Sequence, residues 1–543
     1  MRLLPLRMLL LGGPVALAFF SGGFGDRPRL VALAVSALAA GFLALMADAP
    51  LLPCGRGPRL LLGGLVALTG WVALSRTWSP VQDAAGDDTE RLLLYVLAVW
   101  AATVTFRERA TARQVELGVA AGAFAVIGYG LAGRLVPALV PQTASVSAGG
   151  RLEQPLTYWN AEGALAALGL VLCARIAGDR ERPVPHRMLA AAAAAPLAAG
   201  VYLSFSRGAA VALVAGLIVL LVLAPTWSQL RGVAICLEAG VAATLACAAS
   251  PAVRTLAGSH RDTEGAIVLG GLLAVMLAAA LLARWGARAE AAGTTRLGRL
   301  PLPSWAGAAA GVVVVLLVVV PVLVSRDESP DGPRFGATSE RFANASSNRY
   351  QYWDVALRAF ADHPLKGVGS GGFRTEWLRE RTISERVRDA HSLEIETLAE
   401  LGLVGALLLA ALLGGALLCA RLVQREDPGL AAGPAAALVV FGVHSAVDWT
   451  WEMPAVALMA LVLVGTLAAR ASASFLAPRG PGGGSGVVFA PPGRYKNDAA
   501  PTHGAPPAPA APPAPAAPPT PTAPPAAAAP PAPTAPPAPA APG

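Results

Sequence analysis

Two short polar segments, each at the edge of an apolar stretch, contain residues that could do chemistry. Arg207 lies in residues 204–208, which interrupt an apolar run, and His391 lies near the end of a long polar segment, just before another apolar run. A charged side chain near membrane depth is energetically unfavourable, so such residues usually serve a partner or a pathway. A guanidinium can hold a phosphate through two parallel hydrogen bonds, and a histidine can accept a proton near neutral pH.

Other motifs have simpler interpretations. Residues 367–372 match GxGxxG, but the dinucleotide fingerprint requires a preceding strand and a following helix, whereas this segment follows His363-Pro364 in a polar loop. We interpret it as a glycine-rich turn that positions the loop, and we expect His363 to make local hydrogen bonds. His444 and Asp448 are spaced i, i+4, and their simplest role is a buried structural pair.

Glu394 follows His391 by three residues, which places the two on one face of a helix if the helix begins there. The carboxylate could orient the imidazole of His391. It could also stabilise the first helical turn, as acidic residues commonly do. The sequence slightly favours the second role.

The amino-acid composition indicates which class of protein holds these residues. The chain has 543 residues, of which 55% are hydrophobic and 14% are charged, whereas soluble proteins carry about 25% charged residues. This excludes ordinary soluble domains, a disulfide scaffold and a mainly disordered chain. The net charge of +8 does not indicate nucleic-acid binding, because most arginines flank apolar runs. The five cysteines contain no CxxC pair, so neither a disulfide nor a structural zinc is indicated.

We therefore predict an all-α polytopic membrane protein with about 12–14 transmembrane helices and one long extracytoplasmic loop. Each candidate has the predominantly apolar composition of a membrane-spanning helix. The candidates are centred on residues 8–20, 30–46, 60–74, 92–104, 115–131, 158–176, 188–203, 209–223, 233–249, 266–282, 305–324, 401–418, 431–447 and 453–467.

Arginine asymmetry between short loops predicts the orientation. Arginines are dense in alternate loops, as at residues 175–187, and sparser in the others. The dense set is predicted to be cytoplasmic, so residues 204–208, the loop 325–392 and the segment after Asp448 face outward. We predict a transmembrane domain over 1–470 and a disordered Gly/Ala/Pro-rich cytoplasmic tail over 471–543, since that composition has little to bury.

Several motifs together resemble the bacterial O-antigen ligase and O-antigen polymerase superfamily. His391-Ser392, nine residues, Gly402, two residues and Gly405 reproduce the pattern H-[NSQ]-x9-G-x-x-G. The resemblance extends to four further segments, at residues 150–161, 206–208, 349–353 and 363–369. It covers roughly residues 78–467 and is strongest between residues 204 and 405.

The resemblance implies transfer of a glycan from a polyprenyl diphosphate carrier to an acceptor hydroxyl on the outer face of the cytoplasmic membrane. The catalytic residues would be His391 as base, with Arg207 and Arg349 as diphosphate clamps. Substrate binding would involve Ser206, Arg207, Arg349 and Glu394. No metal, cofactor or nucleic acid is implied, and the partners are the carrier-linked glycan, a glycan, lipid or protein acceptor, and membrane lipids.

Two alternatives remain. Chain polymerisation by an O-antigen or exopolysaccharide polymerase uses the same residues, so the acceptor decides the name. A multi-pass transporter or flippase would also have many spans and intramembrane arginines, but transporters often contain paired internal repeats, and none is evident. A single histidine at the end of a long loop favours an enzyme over a symmetric carrier.

Overall fold

The computed structural model describes residues 3–47, 50–256, 260–324 and 348–476. Within these ranges the chain is helical and contains no β-strand. The first part of the predicted outer loop, residues 325–347, lies outside the described residues, and so does most of the predicted tail, from residue 477 onward.

The described ranges contain seventeen α-helices. They are α1 (Leu4–Ala18), α2 (Asp26–Met46), α3 (Arg56–Ser75), α4 (Gln82–Thr105), α5 (Arg109–Leu135), α6 (Trp159–Gly178), α7 (Val184–Leu203), α8 (Arg207–Leu223), α9 (Trp227–Ala248), α10 (Pro251–Thr255), α11 (Arg261–Ala291), α12 (Ala306–Val324), α13 (Arg349–Asp362), α14 (Phe373–Glu380), α15 (Leu393–Glu426), α16 (Pro428–Ser445) and α17 (Pro454–Leu476).

Each predicted span coincides with one of these helices, which confirms an all-α polytopic membrane protein. Among the described residues, nine helices are long and apolar enough to cross a membrane: α2, α3, α5, α6, α9, α11, α15, α16 and α17. The apolar helices α1 and α8 and residues 306–317 of α12 are shorter. Helices α4 and α7 also fall on predicted spans. Helix α17 continues to Leu476, past the predicted boundary at residue 470.

Helix α6 lies at the centre of the bundle, because its most apolar stretch is completely buried by protein. Small residues allow this close packing between membrane helices. A Cβ on Gly169 of α6 would lie 2.7 Å from the Cβ of Ala123 in α5, and a Cβ on Gly200 of α7 would lie 2.5 Å from Ile127 in α5. Only glycine fits at these two crossings.

Ion pairs form two layers at opposite ends of the helices. One layer joins Arg182 to Glu116 and Arg187 to Glu290. The other layer includes the pair between Arg349 and Asp448. A helix of twenty residues is about 30 Å long, which matches the hydrocarbon thickness of a bilayer. The bundle therefore has the polar and apolar zones of a membrane-spanning protein.

Candidate active site

The turn between α7 and α8 fixes the start of α8 at Arg207. The hydroxyl of Ser204 donates to the carbonyl oxygen of Val201 at 2.7 Å, and Phe205 has a left-handed backbone with φ 49°. Ser206 caps α8, since its hydroxyl accepts a hydrogen bond from the backbone N–H of Ala209 at 3.2 Å. Such a cap satisfies one of the unpaired donors at a helix start. Arg207, half-buried, is therefore held at the first position of α8.

His391 lies immediately before the residue that caps α15. Its backbone is left-handed, with φ 56°, and Ser392 caps the helix by accepting from the N–H of Ile395 at 3.4 Å. The Nδ1 atom of His391 lies 2.9 Å from the carbonyl oxygen of Asp389. A carbonyl oxygen can only accept, so Nδ1 carries the proton and Nε2 of the neutral ring is the acceptor.

Burial lowers the pKa of His391, and the carboxylate of Asp448 offsets part of this effect. The imidazole is therefore neutral near pH 7, which is the protonation state that a general base requires.

Asp448 is the centre of the hydrogen-bonded network beside His391. Its carboxylate accepts from the hydroxyl of Tyr158 at 2.7 Å, from the amide of Asn160 at 2.7 Å and from the backbone N–H of Trp449 at 2.9 Å. It also forms an ion pair with Arg349. Burial raises the pKa of Asp448, but the positive charge of Arg349, the two nearby histidines and the hydrogen bond from Tyr158 together outweigh burial. The pKa therefore lies below its ordinary value, and the carboxylate stays ionised. The side chain is 1% exposed.

His444 and Asp448 are both buried and interact electrostatically, but their hydrogen bonds go to different partners. His444 is buried, and its Nδ1 is hydrogen-bonded to the hydroxyl of Thr450, while its Nε2 lies 3.5 Å from the hydroxyl of Ser206. Asp448 instead binds Arg349. The end of α16 therefore contacts the Ser206 turn through His444, and it contacts the loop that contains Arg349 through Asp448.

The glycine-rich turn at residues 367–372 docks the loop onto α15. The backbone N–H groups of Val368 and Gly369 donate to the carbonyl oxygens of Ala399 and Glu400 at 3.0 and 2.8 Å. The carboxylate of Glu400 in turn accepts from the N–H of Gly371 at 2.9 Å. The turn therefore positions the loop, and no βαβ unit accompanies it in the described ranges.

Gly402 supplies the space for this docking. It has φ +64° and interrupts the regular geometry of α15. A Cβ on Gly402 would lie 2.4 Å from the carbonyl carbon of Leu365. Gly402, the first glycine of the H-[NSQ]-x9-G-x-x-G pattern, is therefore required because two backbone segments approach each other closely at this position.

Glu394 and His363 lie at the edge of the site. Glu394 is an exposed residue in the first turn of α15 and is hydrogen-bonded to Ser392, a placement that favours helix stabilisation over orientation of His391. His363 is exposed and follows the last residue of α13, where its carbonyl oxygen accepts from the N–H of Gly367 at 2.9 Å. Its placement fits a turn residue.

A second, acidic network borders the site on the side of α4. Arg91 pairs with Asp88 at 2.9 Å and with Glu452 at 3.4 Å. Burial raises the pKa of Asp389 to about 6 and that of Glu452 to about 8, although Arg91 opposes both shifts. Among the described residues, no group of histidine, cysteine and carboxylate side chains could hold a metal ion.

A comparison with known families adds independent information. Residues 264–410 match the family model described as O-antigen ligase. This segment is similar to the O-antigen ligase family. The match covers about a quarter of the chain and confirms the resemblance given by the motifs. No curated protein matches the sequence.

The matched segment contains His391 and Arg349, and the structure adds partners from outside it. Arg207 on α8 and Asp448 after α16 lie beyond the matched residues. The chain is accordingly an integral membrane protein in which residues 264–410 are similar to the O-antigen ligase family, and this similarity implies a glycan-modifying enzyme in general.

Sequence reasoning missed the roles of Asp448, Tyr158 and Asn160. A signal for Asp448 was present, because a lone carboxylate at the end of an apolar span is unfavourable without a cationic partner. The i, i+4 spacing pointed to His444 instead of Arg349. That partner lies 99 residues away in sequence, so only the fold reveals it.

Proposed function

We propose that this protein transfers a glycan from a polyprenyl diphosphate carrier to an acceptor hydroxyl at the outer face of the cytoplasmic membrane. The observation that carries the proposal is the ion pair between Arg349 and Asp448 beside His391. It places a cation, a fixed carboxylate and a neutral base at one end of a membrane bundle. This combination suits reaction of a hydroxyl with a diphosphate-activated sugar.

His391 is the general base of the proposed reaction. The oxygen of the acceptor hydroxyl attacks the anomeric carbon of the donor glycan while Nε2 of His391 accepts the hydroxyl proton. The bond between the anomeric carbon and the diphosphate oxygen breaks, and its electron pair leaves with the polyprenyl diphosphate. General base catalysis of this kind contributes about 10²- to 10⁴-fold.

The leaving diphosphate requires positive charge at the point where its own charge increases. We assign this role to Arg207 and Arg349. Arg207 is held by the capped turn, and Arg349 is oriented by Asp448. Asp448 is therefore a positioning residue, since it acts through Arg349 and through the electrostatic environment of His391. Ser206 supports the same site by fixing the start of α8 and by its approach to His444.

The outward orientation of this site is testable by cysteine labelling. Leu365 is exposed on the loop that docks onto α15, and Arg180 is exposed at the opposite polar layer. In a variant without the native cysteines, a membrane-impermeant thiol reagent added outside the cell should label Leu365→Cys and leave Arg180→Cys unlabelled. The reverse labelling would contradict the proposed topology.

The reaction itself is tested with full-length protein in liposomes and a synthetic polyprenyl diphosphate glycan. Product should form with chelator present, and His391→Ala and Arg207→Ala should form none, whereas His363→Ala should remain active. Transfer to a separate lipid or protein acceptor identifies a ligase, whereas chain growth on the glycan identifies a polymerase. Movement of the intact donor across the bilayer without any transfer would instead support a flippase and contradict the proposal.

A further inference from the structure

An apolar groove of about 440 Å³ runs between α8, α15 and α16, at the end of these helices opposite His391. Its walls include Val219 of α8, Leu413 and Leu417 of α15, and Val439 of α16. Helix α16 packs against both α8 and α15. The groove therefore lies between the two helices that begin at Arg207 and just after His391.

The wall that α15 contributes changes from apolar to polar along the helix. It begins at Leu413 and ends with Arg421, Gln424 and Arg425. The rise of α15 between Leu413 and Arg425 is about 18 Å, close to the roughly 15 Å hydrocarbon depth of one bilayer leaflet. The groove thus has the length and the polarity gradient of a single phospholipid.

The polar end of the groove carries uncompensated positive charge. Arg421 and Arg425 are exposed and lie one helical turn apart. In the part of the chain that the structure describes, neither forms an ion pair. Gln424 lies between them, and its side-chain N–H donates to the carbonyl oxygen of Leu223 in α8 at 2.8 Å, which ties α15 to α8. The Oε1 atom of Gln424 is buried and accepts no hydrogen bond from the described residues.

We propose that this groove binds a phospholipid with an anionic headgroup, for which phosphatidylglycerol is the probe. An acyl chain fills the apolar part between α8, α15 and α16. The phosphate lies between Arg421 and Arg425, where guanidinium groups bind phosphate oxygens strongly. Basic pockets between membrane helices are known to hold anionic headgroups. The proposal does not depend on the transfer reaction.

The proposal is tested by lipid retention on the full-length protein. Delipidated protein in a neutral detergent is titrated with phosphatidylglycerol or phosphatidylcholine, and bound lipid is counted by native mass spectrometry. The unmodified protein should prefer phosphatidylglycerol about 25-fold, because each arginine near an anionic lipid contributes a factor of about five. The double variant Arg421→Gln, Arg425→Gln should lose this preference.

The matched control is Arg284→Gln with Arg288→Gln. These two arginines are also exposed and one helical turn apart, on the last part of α11, and they do not line the groove. The control should keep the full preference for phosphatidylglycerol. If both double variants lost the preference for phosphatidylglycerol equally, surface charge alone would attract the lipid. That result would refute binding in the groove.

A second pair of variants tests the apolar part of the groove. Ala416 lines the groove, whereas Ala410 is exposed on α15 outside it. Ala416→Phe should expel both lipids, and Ala410→Phe should expel neither. Equal retention of the two lipids by the unmodified protein would refute the proposal. So would a dimer that Ala416→Phe dissociates, since a second copy of the chain would then occupy the groove.

Discussion

Replacing Asp448 with asparagine isolates the contribution of the network beside His391. Asparagine keeps the size of the side chain, but it loses the negative charge that pairs with Arg349. It also places N–H donors where the carboxylate accepted hydrogen bonds from Asn160 and Arg349. The variant should fold and insert, and it should transfer glycan slowly.

The magnitude follows from the environment of the pair. Removing one partner of a buried, hydrogen-bonded charge pair costs about 2–5 kcal/mol. Asp448 is fully buried, but Arg349 is 24% exposed, so water compensates part of the loss and we expect the lower end, about 2–3 kcal/mol. Since 1.4 kcal/mol is a factor of ten, the transfer rate should fall by about 30- to 150-fold.

The pH dependence distinguishes this role from a purely structural one. Asp448 raises the pKa of His391, whereas Arg349 lowers it. His391 acts as a base only when it is neutral, so the acid side of the pH–rate profile follows this pKa. That limb should move to lower pH in Asp448→Asn and to higher pH in Arg349→Gln. The opposite directions follow from the signs of the two charges.

The assay measures initial transfer rates from pH 5 to 9 for both single variants and for the double variant. The double variant should be about as slow as either single one, because each single change leaves an unpaired charge. Asp427→Asn serves as the control, since it breaks an ion pair with Arg109 in the other polar layer and should leave the pH profile unchanged. Additive losses, or acid limbs that move in the same direction, would refute the reasoning.

Four further predictions concern separate parts of the site. His391→Gln keeps hydrogen bonding but accepts no proton, so the transfer rate should fall about 10²- to 10⁴-fold. Arg207→Lys should retain part of the activity if positive charge matters more than the planar, two-pronged geometry of the guanidinium. Transfer rates measured on purified protein test both variants. Gly402→Ala should lower the free energy of unfolding by about 1–3 kcal/mol, because Gly402 has a φ of +64° and a Cβ there would meet the backbone of Leu365. Thermal unfolding measures this loss. The control is Gly414→Ala on the same helix, where a Cβ meets open space, and it should be neutral or up to about 1 kcal/mol more stable. Glu452 has a pKa raised to about 8 in the folded protein, so near neutral pH it holds a proton that the unfolded chain has released. The free energy of unfolding should therefore fall as pH rises toward and through 8. Thermal unfolding measured from pH 6 to 9 should show this decline, and Glu452→Gln should flatten it.

The fold class was accessible from the sequence because a bilayer imposes strong and local constraints. A segment must be apolar over its whole length and must pair its backbone internally to span a membrane, so each span is recognised without knowledge of the others. All fourteen predicted spans accordingly coincide with helices. Helix α4 coincides with a predicted span but does not meet the criteria of length and hydropathy for a membrane-spanning helix. Its first half contributes Asp88 and Arg91 to the polar layer.

The partners within the site were not accessible in the same way. His391 and Arg207 were recognisable because each stands out from its own surroundings in the chain. The pairing of Arg349 with Asp448 depends instead on how α13, α6 and the end of α16 meet, and these contacts join residues separated by 99 and by 288 or more positions. The sequence by itself determined which segments enter the membrane and which residue types could do chemistry. Only the tertiary structure decided which charges neutralise one another, because a buried charge is stabilised by whichever partner the packing of the helices brings within hydrogen-bonding distance.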